Sequence, residues 1–482
     1  MSPFLYIHNP PPSFGLEAMR RNPGDTSYAA EAIFINRALT DSSIRTFDLQ
    51  KASLFYVPTL AYHRFRYACT RPRFPRRPKW VFAVPDLRCE ISIRVPSLCS
   101  NLIFQKAHKH ISDLVNSMQR SDGAFRQSWR QRNASRHVFF FTTDKGACTT
   151  LRGAEQPVYI SHWGLQVPWF EQLAPARWKA NASDPHPHTR ACADGRDIIV
   201  PPLIPQFPLN KEWAADKARE AAAIARAAAK ARAAAALVAN ASLPSGGAAP
   251  SALHYNQPLV PPPPPPPSPP PPVWRCLLFF AGTTERTGGS NCPTYGADGL
   301  PAAAKCYSQG VRQALFRHHR NRSRFCVSEH MPDWAERSIW RQSRFCLAPN
   351  GEGFGNRLSL AMEAGCVPVI IQPAVLQPFE ELLPYDNFSL RLSLDDVPQL
   401  PTLLEAVTDE QHAALRRGVR LHAAAFGWDA ASGAAYDHLR YALCLRATHA
   451  DALDAQACYH LRPASLPRVQ VSHGGFRGWV GT

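Results

Sequence analysis

Three glycines alternate at positions 351, 353 and 355, and Asn356 and Arg357 follow directly. Glycine has no Cβ, so the backbone N–H groups of Gly351, Gly353 and Gly355 can approach a ligand closely. A helix beginning at about Asn356 adds unpaired N–H groups and a partial positive charge at the same place. Arg357 supplies a planar cation suited to phosphate oxygens. Together these residue types make an anion site, and a nucleotide diphosphate is its simplest ligand. A plain tight turn is the competing reading of the glycines alone. Gly282 closes another apolar run and places a turn that could meet donor phosphates or an acceptor. Asp144 follows the Phe-rich run 136–142, at the end of a strand where open α/β sheets bind ligands. It is a candidate general base, although a cap on the following turn is the commoner role for such an Asp.

Residues 345–348 read as a buried strand stopped by Pro349 and Asn350. Leu358, Ala361 and Met362 recur at helical spacing over 356–364, Gly365 ends that helix, and 367–371 is a second strand. Strand, helix, strand is a βαβ unit, normally parallel and right-handed. Further strands are expected at 4–8, 52–57, 136–142, 157–163, 197–202, 274–282 and 324–327. Helices are expected at 27–39, 101–118, 302–316 and 334–341. Ser393 to Asp396 forms a capping box for a helix ending near Val407, with a long helical tail to about Ala447. This alternation predicts parallel sheets in two halves. His108 and His110 are two apart on their helix, so they point to different faces and make a poor metal pair.

Residues 206–273 change character. The run 212–238 is rich in Ala with interspersed Lys and Arg, a strong helix former whose charges rule out a membrane span. Eleven prolines around Ser268 follow, a semi-rigid polyproline spacer. The expected organisation is a Rossmann-like, acceptor-side domain at 1–205, a linker at 206–273, a donor-binding domain at 274–447 and a disordered tail at 448–482.

A chain of 482 residues suits two domains, and a formal net charge of +17 raises a polyanion-binding reading with the Ala/Lys/Arg helix as its element. No nucleic-acid module accompanies that charge, so a basic cleft for anionic nucleotide sugars accounts for it more simply. Thirteen cysteines without a Cys-x-x-Cys pair argue against zinc; in a lumenal protein some would form disulfides, in a pairing the sequence leaves open. Sequons stand at Asn133, Asn181, Asn240, Asn321 and Asn387. No signal peptide or membrane anchor is legible.

The segment from Phe345 to Ile371 closely resembles the C-terminal signature of the exostosin family, glycosyltransferase family 47: Phe-Cys-Leu-x-Pro, a glycine loop, an Arg at the helix start, then Gly-Cys-Val-Pro-Val-Ile. Downstream, 377–380 and 383–389 resemble the family's Pro-Phe and Phe-Ser elements. The block from Tyr28 to Pro58 resembles its Tyr-x-x-Glu, Arg-Thr-x-Asp and Leu-Phe-Tyr-Val-Pro pattern. The likeness covers roughly 4–205 and 274–430, and Ser-Pro-rich runs resemble those of plant and green-algal wall proteins. It implies a GT-B fold, with two Rossmann-like domains facing a cleft. The implied reaction is inverting transfer of a sugar from a nucleotide diphosphate sugar to a glycan or glycoprotein acceptor. No other cofactor, metal or nucleic acid is implied, and the family's setting is the Golgi, with a membrane anchor that this sequence does not display. Two positions depart from the pattern. Leu360 stands where the family carries a Glu thought to hold the ribose, leaving Glu363 as the nearest carboxylate, and Thr143 replaces a His beside Asp144. Both departures favour the alternative of a glycan- or partner-binding protein without catalysis.

Overall fold

The strands of this protein are short runs of aromatic and branched apolar residues, and most are buried along their whole length, as parallel strands covered on both faces must be. A computed structural model describes residues 3–21, 28–61, 96–131, 134–143, 146–149, 157–166, 193, 195–204, 274–284, 307–329, 331, 333–351, 353–429, 432–451 and 454–466. All belong to one unit, formed by the chain before residue 205 and after residue 272. Asp144, the sequons at 133, 181 and 240, and the whole of 206–273 lie outside the described residues.

The N-terminal part supplies β1 (Leu5–Ile7), β2 (Arg45–Thr46), β3 (Leu54–Tyr56), β4 (His137–Phe141), β5 (Val158–Ser161), β6 (Gly164–Leu165) and β7 (Ile198–Ile199). Six of them form a parallel sheet in the order β2-β1-β3-β4-β5-β7. The C-terminal part supplies β8 (Cys276–Ala281), β9 (Phe325–Ser328), β10 (Ser343–Pro349), β11 (Val367–Ile371), β12 (Val375–Leu376) and β13 (Leu390–Arg391). Five of these form a second parallel sheet, β13-β11-β10-β8-β9. In each sheet the chain starts on an inner strand, steps outward one way and returns to build the other way. The reversal falls between β1 and β3 in the first sheet and between β8 and β10 in the second. Ligands of open α/β sheets bind outside the carboxyl ends of the strands at such a reversal.

The two sheets share one apolar core that includes Val138, Ile160, Leu278 and Phe345. β6 and β12 pair antiparallel, and Phe379 N donates to Ile199 O (2.7 Å), joining the two parts of the chain by backbone hydrogen bonds. The helix Ala435–Ala450 adds side-chain ties to the first sheet's residues: Tyr436 Oη to Asp41 (2.9 Å), and Arg446 to the carbonyls of Arg196 (2.7 Å) and Asp197 (3.1 Å). No helix among the described residues is long and apolar enough to cross a membrane.

Several elements differ from the sequence expectations. β10 begins at Ser343 and keeps Pro349, which is tolerated at the strand's end because its missing N–H is not needed there. The helix expected at 302–316 is Val311–His319, preceded by a turn with Ser308 and Gln309 at positive φ (58° and 49°). That turn is held by Ser308, whose N donates to Gly351 O (3.0 Å) and whose hydroxyl donates to Asn350 O (2.7 Å). The capping box at Ser393 forms, but Pro398 cannot donate in a continuous helix, so the 3₁₀ turn Leu394–Gln399 precedes the helix Leu400–Glu405. The long helical tail is two helices, Asp409–His422 and Ala435–Ala450. Folded structure also continues past 447: Cys458 is bonded to Cys444, Leu461 and Leu466 are buried, and Asp451 pairs with Arg136 (2.5 Å). Two further disulfides, Cys276–Cys326 and Cys346–Cys366, join neighbouring strands of the second sheet.

Candidate functional site

The turns after β8 and β10, the two strands at the reversal, open onto one cavity of about 430 Å³. Gly282 and Thr283 enter it from β8, and Gly351, Phe354, Gly355, Asn356 and Arg357 enter it from β10 and the following helix. Tyr307, Arg312, Glu329, Met331 and Glu336 complete its wall. Five of the expected residues, Gly282, Gly351, Gly355, Asn356 and Arg357, are therefore gathered in one place.

The glycines are needed because backbone closes on backbone. A Cβ on Gly355 would lie 2.6 Å from Pro349 O, so no side chain fits there. Gly351 N donates to Gly353 O (3.1 Å), which gives Gly353 the task of shaping the loop rather than lining the cavity. The helix Arg357–Ala364 starts directly from this loop, with Asn356 already helical (φ −78°, ψ −9°), and ends on left-handed Gly365 (φ 72°). Its Asn356 side chain caps none of the helix N–H groups.

Two guanidinium groups converge on the turn at Gly282. A Cβ on that glycine would lie 3.2 Å from Arg312 Nη1 and 3.2 Å from Arg357 Nη2. Arg312 is 5% exposed and clamps three separate pieces of the wall. Its Nη1 donates to Thr283 O and Tyr307 Oη (both 3.1 Å), and its Nη2 donates to Asn350 O (3.0 Å). Its guanidinium also lies over the Tyr307 ring, 4.8 Å from the centroid. Arg357 is held more loosely: Nη1 is 3.7 Å from Glu336 Oε1, and its Nε has no hydrogen-bond partner among the described residues. Burial lowers the Arg357 pKa from its ordinary value, Glu336 and Tyr307 oppose that shift, and the group stays a cation at any physiological pH. Glu336 in turn accepts from Trp340 Nε1 (3.3 Å), and Glu329 accepts from the Thr284 hydroxyl. The site thus combines two cations, a helix start and two carboxylates on its rim.

The glycine loop also reaches the first sheet's side. The Phe354 ring packs edge-on against Tyr28 (5.9 Å) and His162 (5.1 Å). His162 is buried, and its Nδ1 donates to Val200 O (3.1 Å). Burial pushes its pKa down to about 4, so the ring is neutral. Thr143 spends its hydroxyl on Gly146 O (3.1 Å). His110 lies against Phe14, ring to ring at 5.3 Å.

Another expected site residue, Glu363, stands apart. Glu363 is six positions along the helix from Arg357, about 9 Å of rise, and does not line the cavity. Leu360 packs against the cluster of Phe279, Trp340 and the cystines, so no carboxylate stands on that turn of the helix. Arg312, Tyr307, Glu336 and Glu329 were missed by sequence reading. Arg312 carried a faint signal, since it sits among Val311, Ala314 and Leu315 on the buried side of its helix.

Residues 217–407 match the model of the exostosin GT47 domain. The matched region takes in β8 to β13 and the whole glycine-loop cavity, and it begins inside the segment read from sequence as a linker. A probable glucuronoxylan glucuronosyltransferase of Arabidopsis thaliana is 24% identical over 418 residues, which is 86% of this chain and 66% of that protein. A probable glycosyltransferase of the same plant is 30% identical over 142 residues, 28% of this chain and 30% of that protein. A probable beta-1,4-xylosyltransferase, also from Arabidopsis thaliana, is 31% identical over 105 residues, 22% of this chain and 25% of that protein. Over those two stretches the chain spans less than a third of each relative's length. By name, all three relatives are probable plant glycosyltransferases.

Proposed function

We propose that this exostosin-type protein transfers a sugar from a nucleotide diphosphate sugar to a glycan or glycoprotein acceptor. The observation that carries the reading is the convergence of Arg312 and Arg357 at Gly282, beside the start of a helix. In the proposal the donor's diphosphate rests on that turn. As the glycosyl–phosphate bond breaks, negative charge grows on the leaving diphosphate. The two guanidinium groups and the helix N–H groups stabilise it without a metal ion. Arg312 is already fixed by its three bonds, whereas Arg357, with one long ion pair, is available to close on the ligand. Glu336, paired with Arg357 in the cavity, takes the ribose-side position that Leu360 leaves apolar.

The acceptor enters from the first sheet, with Asp144 as the base that takes the acceptor hydroxyl proton. Attack from the face opposite the leaving diphosphate inverts the anomeric centre. Domains at 1–205 and 274–447 then form the two halves of a GT-B enzyme around the 206–273 linker. A lumenal setting in the secretory pathway suits the three cystines among the described residues.

Leu360 and Thr143 favour a second reading, a glycan-binding protein with the same fold and no turnover. Release of nucleoside diphosphate from a panel of nucleotide sugars, with candidate plant-wall acceptors, separates the two. The transferase reading requires acceptor-dependent release that Asp144→Asn abolishes. Absence of release with every donor, alongside retained glycan binding, gives the second reading.

A further inference from the structure

Two of the five sequons fall within the described residues, and both place their Asn on an exposed turn, although nothing in their sequence context required it. We infer that Asn321 and Asn387 are N-glycosylation sites, modified at different stages of folding. The inference does not depend on the transferase reading. It needs a compartment that both forms disulfides and supplies a lipid-diphosphate-linked oligosaccharide. Cys276–Cys326, Cys346–Cys366 and Cys444–Cys458 supply the first indication of such a compartment. In the transfer, the Asn amide nitrogen bonds to the anomeric carbon and gives up one proton. The glycosyl–phosphate bond breaks, and the lipid diphosphate leaves with the electron pair.

The two acceptors differ in one group, the sequon hydroxyl that the transferring enzyme must read. Asn321 follows the helix Val311–His319, and Asn321, Arg322 and Ser323 are all exposed. Amide and hydroxyl are thus both open to an enzyme after folding. Asn387 ends the 3₁₀ turn Tyr385–Asn387 and stands at the rim of a separate cavity of about 590 Å³, which leaves room for a first sugar. Its sequon, however, is locked. Phe388 is fully buried, and Ser389 is 4% exposed, with its hydroxyl donating to Tyr385 O (2.7 Å). A Cβ on Gly418 would lie 2.0 Å from Asn387 O, so the neighbouring helix already touches this turn's backbone. The chain there cannot extend to present Ser389 without unfolding the turn. Asn387 therefore takes its glycan before the turn closes, and Asn321 can take one before or after.

The test is expression of the full chain through a secretory route, with peptide-level mapping after N-glycosidase treatment, which converts a formerly glycosylated Asn to Asp. The expected result is conversion at both 321 and 387. Asn321→Gln and Ser323→Ala should each remove only the first site, and Ser323→Thr should restore it. Asn387→Gln should remove only the second. In a second arm, folded unglycosylated protein is incubated with oligosaccharyltransferase and a lipid-linked oligosaccharide; occupancy is expected at Asn321 and not at Asn387. Unmodified Asn at both positions in secreted, disulfide-bonded protein would overturn the assignment. Modification of Asn387 in the folded chain would overturn the ordering.

Discussion

The two sheets treat their buried polar groups differently. At the carboxyl ends of the first sheet, Glu31, His162 and Thr143 each bond to the protein's own backbone. Glu31 accepts from the backbone N–H of Thr59 (2.8 Å) and Leu60 (3.0 Å) and from the Tyr56 hydroxyl (3.2 Å). His162 is bonded to Val200 O, and Thr143 to Gly146 O. At the carboxyl ends of the second sheet, two cations meet over a glycine. Among the described residues, the carboxylate paired with one of them, Arg357, stands at 3.7 Å. A site that recognises an anion must keep positive charge uncommitted, and the second sheet does so. The first sheet is a scaffold at the same level, so substitutions there should cost stability and those around Arg357 should cost binding.

The largest expected effect concerns the cross-links that brace the second sheet. Removing Cys276–Cys326 or Cys346–Cys366, which close loops of 50 and 20 residues, should lower stability by roughly 3 to 4 kcal/mol each in a denaturant titration. A loss confined to the redox state of the cysteines, without a change of midpoint, would show that the bridges brace nothing.

Glu31→Ala follows. It strands the buried N–H groups of Thr59 and Leu60 and should cost about 3 kcal/mol, with nucleotide affinity unchanged. Weakened nucleotide binding in that variant would break the division between the sheets. The Glu31 carboxyl is pushed up to about 7 by burial, against the pull of the backbone N–H groups of Leu60 and Thr59.

His162 gives a pH dependence. Its folded pKa of about 4 lies below the ordinary 6.5, so the unfolded chain takes up the proton first. The stability it contributes is complete above pH 6.5 and is lost as pH falls towards 4, up to about 3 kcal/mol in all. Glu31, held up to about 7, contributes the opposite slope as pH rises from 4.5, so the readout is a difference: the unfolding midpoint of the wild type should fall with falling pH more steeply than that of His162→Gln. His412, also held down to about 4 chiefly by burial, accounts for part of the slope that remains.

Much of the second sheet was legible because its signals are local. Apolar runs, alternating glycines and Gly365 at the helix end each act within a few residues, so the βαβ unit and five residues of the cavity could be read directly. What was missed depends on contacts between distant segments. Arg312 reaches Thr283 and Asn350 only because β8 and β10 are neighbours, and no periodicity near Arg312 announces that. The turn at Ser308 and Gln309 takes positive φ because the glycine loop bonds to it, against the preference of both residues. Cystine pairing follows from strand order for the same reason. Glu363 was chosen by proximity in sequence, but on a helix six positions is nearly two turns, and the cavity's carboxylates come from elsewhere in the chain.

The smallest effect in free energy is also the most direct test of the account. Isothermal titration of a panel of nucleoside diphosphates into wild-type protein and Arg357→Ala should show a dissociation constant raised on the order of 10- to 100-fold, with the unfolding midpoint unchanged. Equal affinity in the two proteins would contradict the claim that the paired guanidinium groups at Gly282 hold a diphosphate.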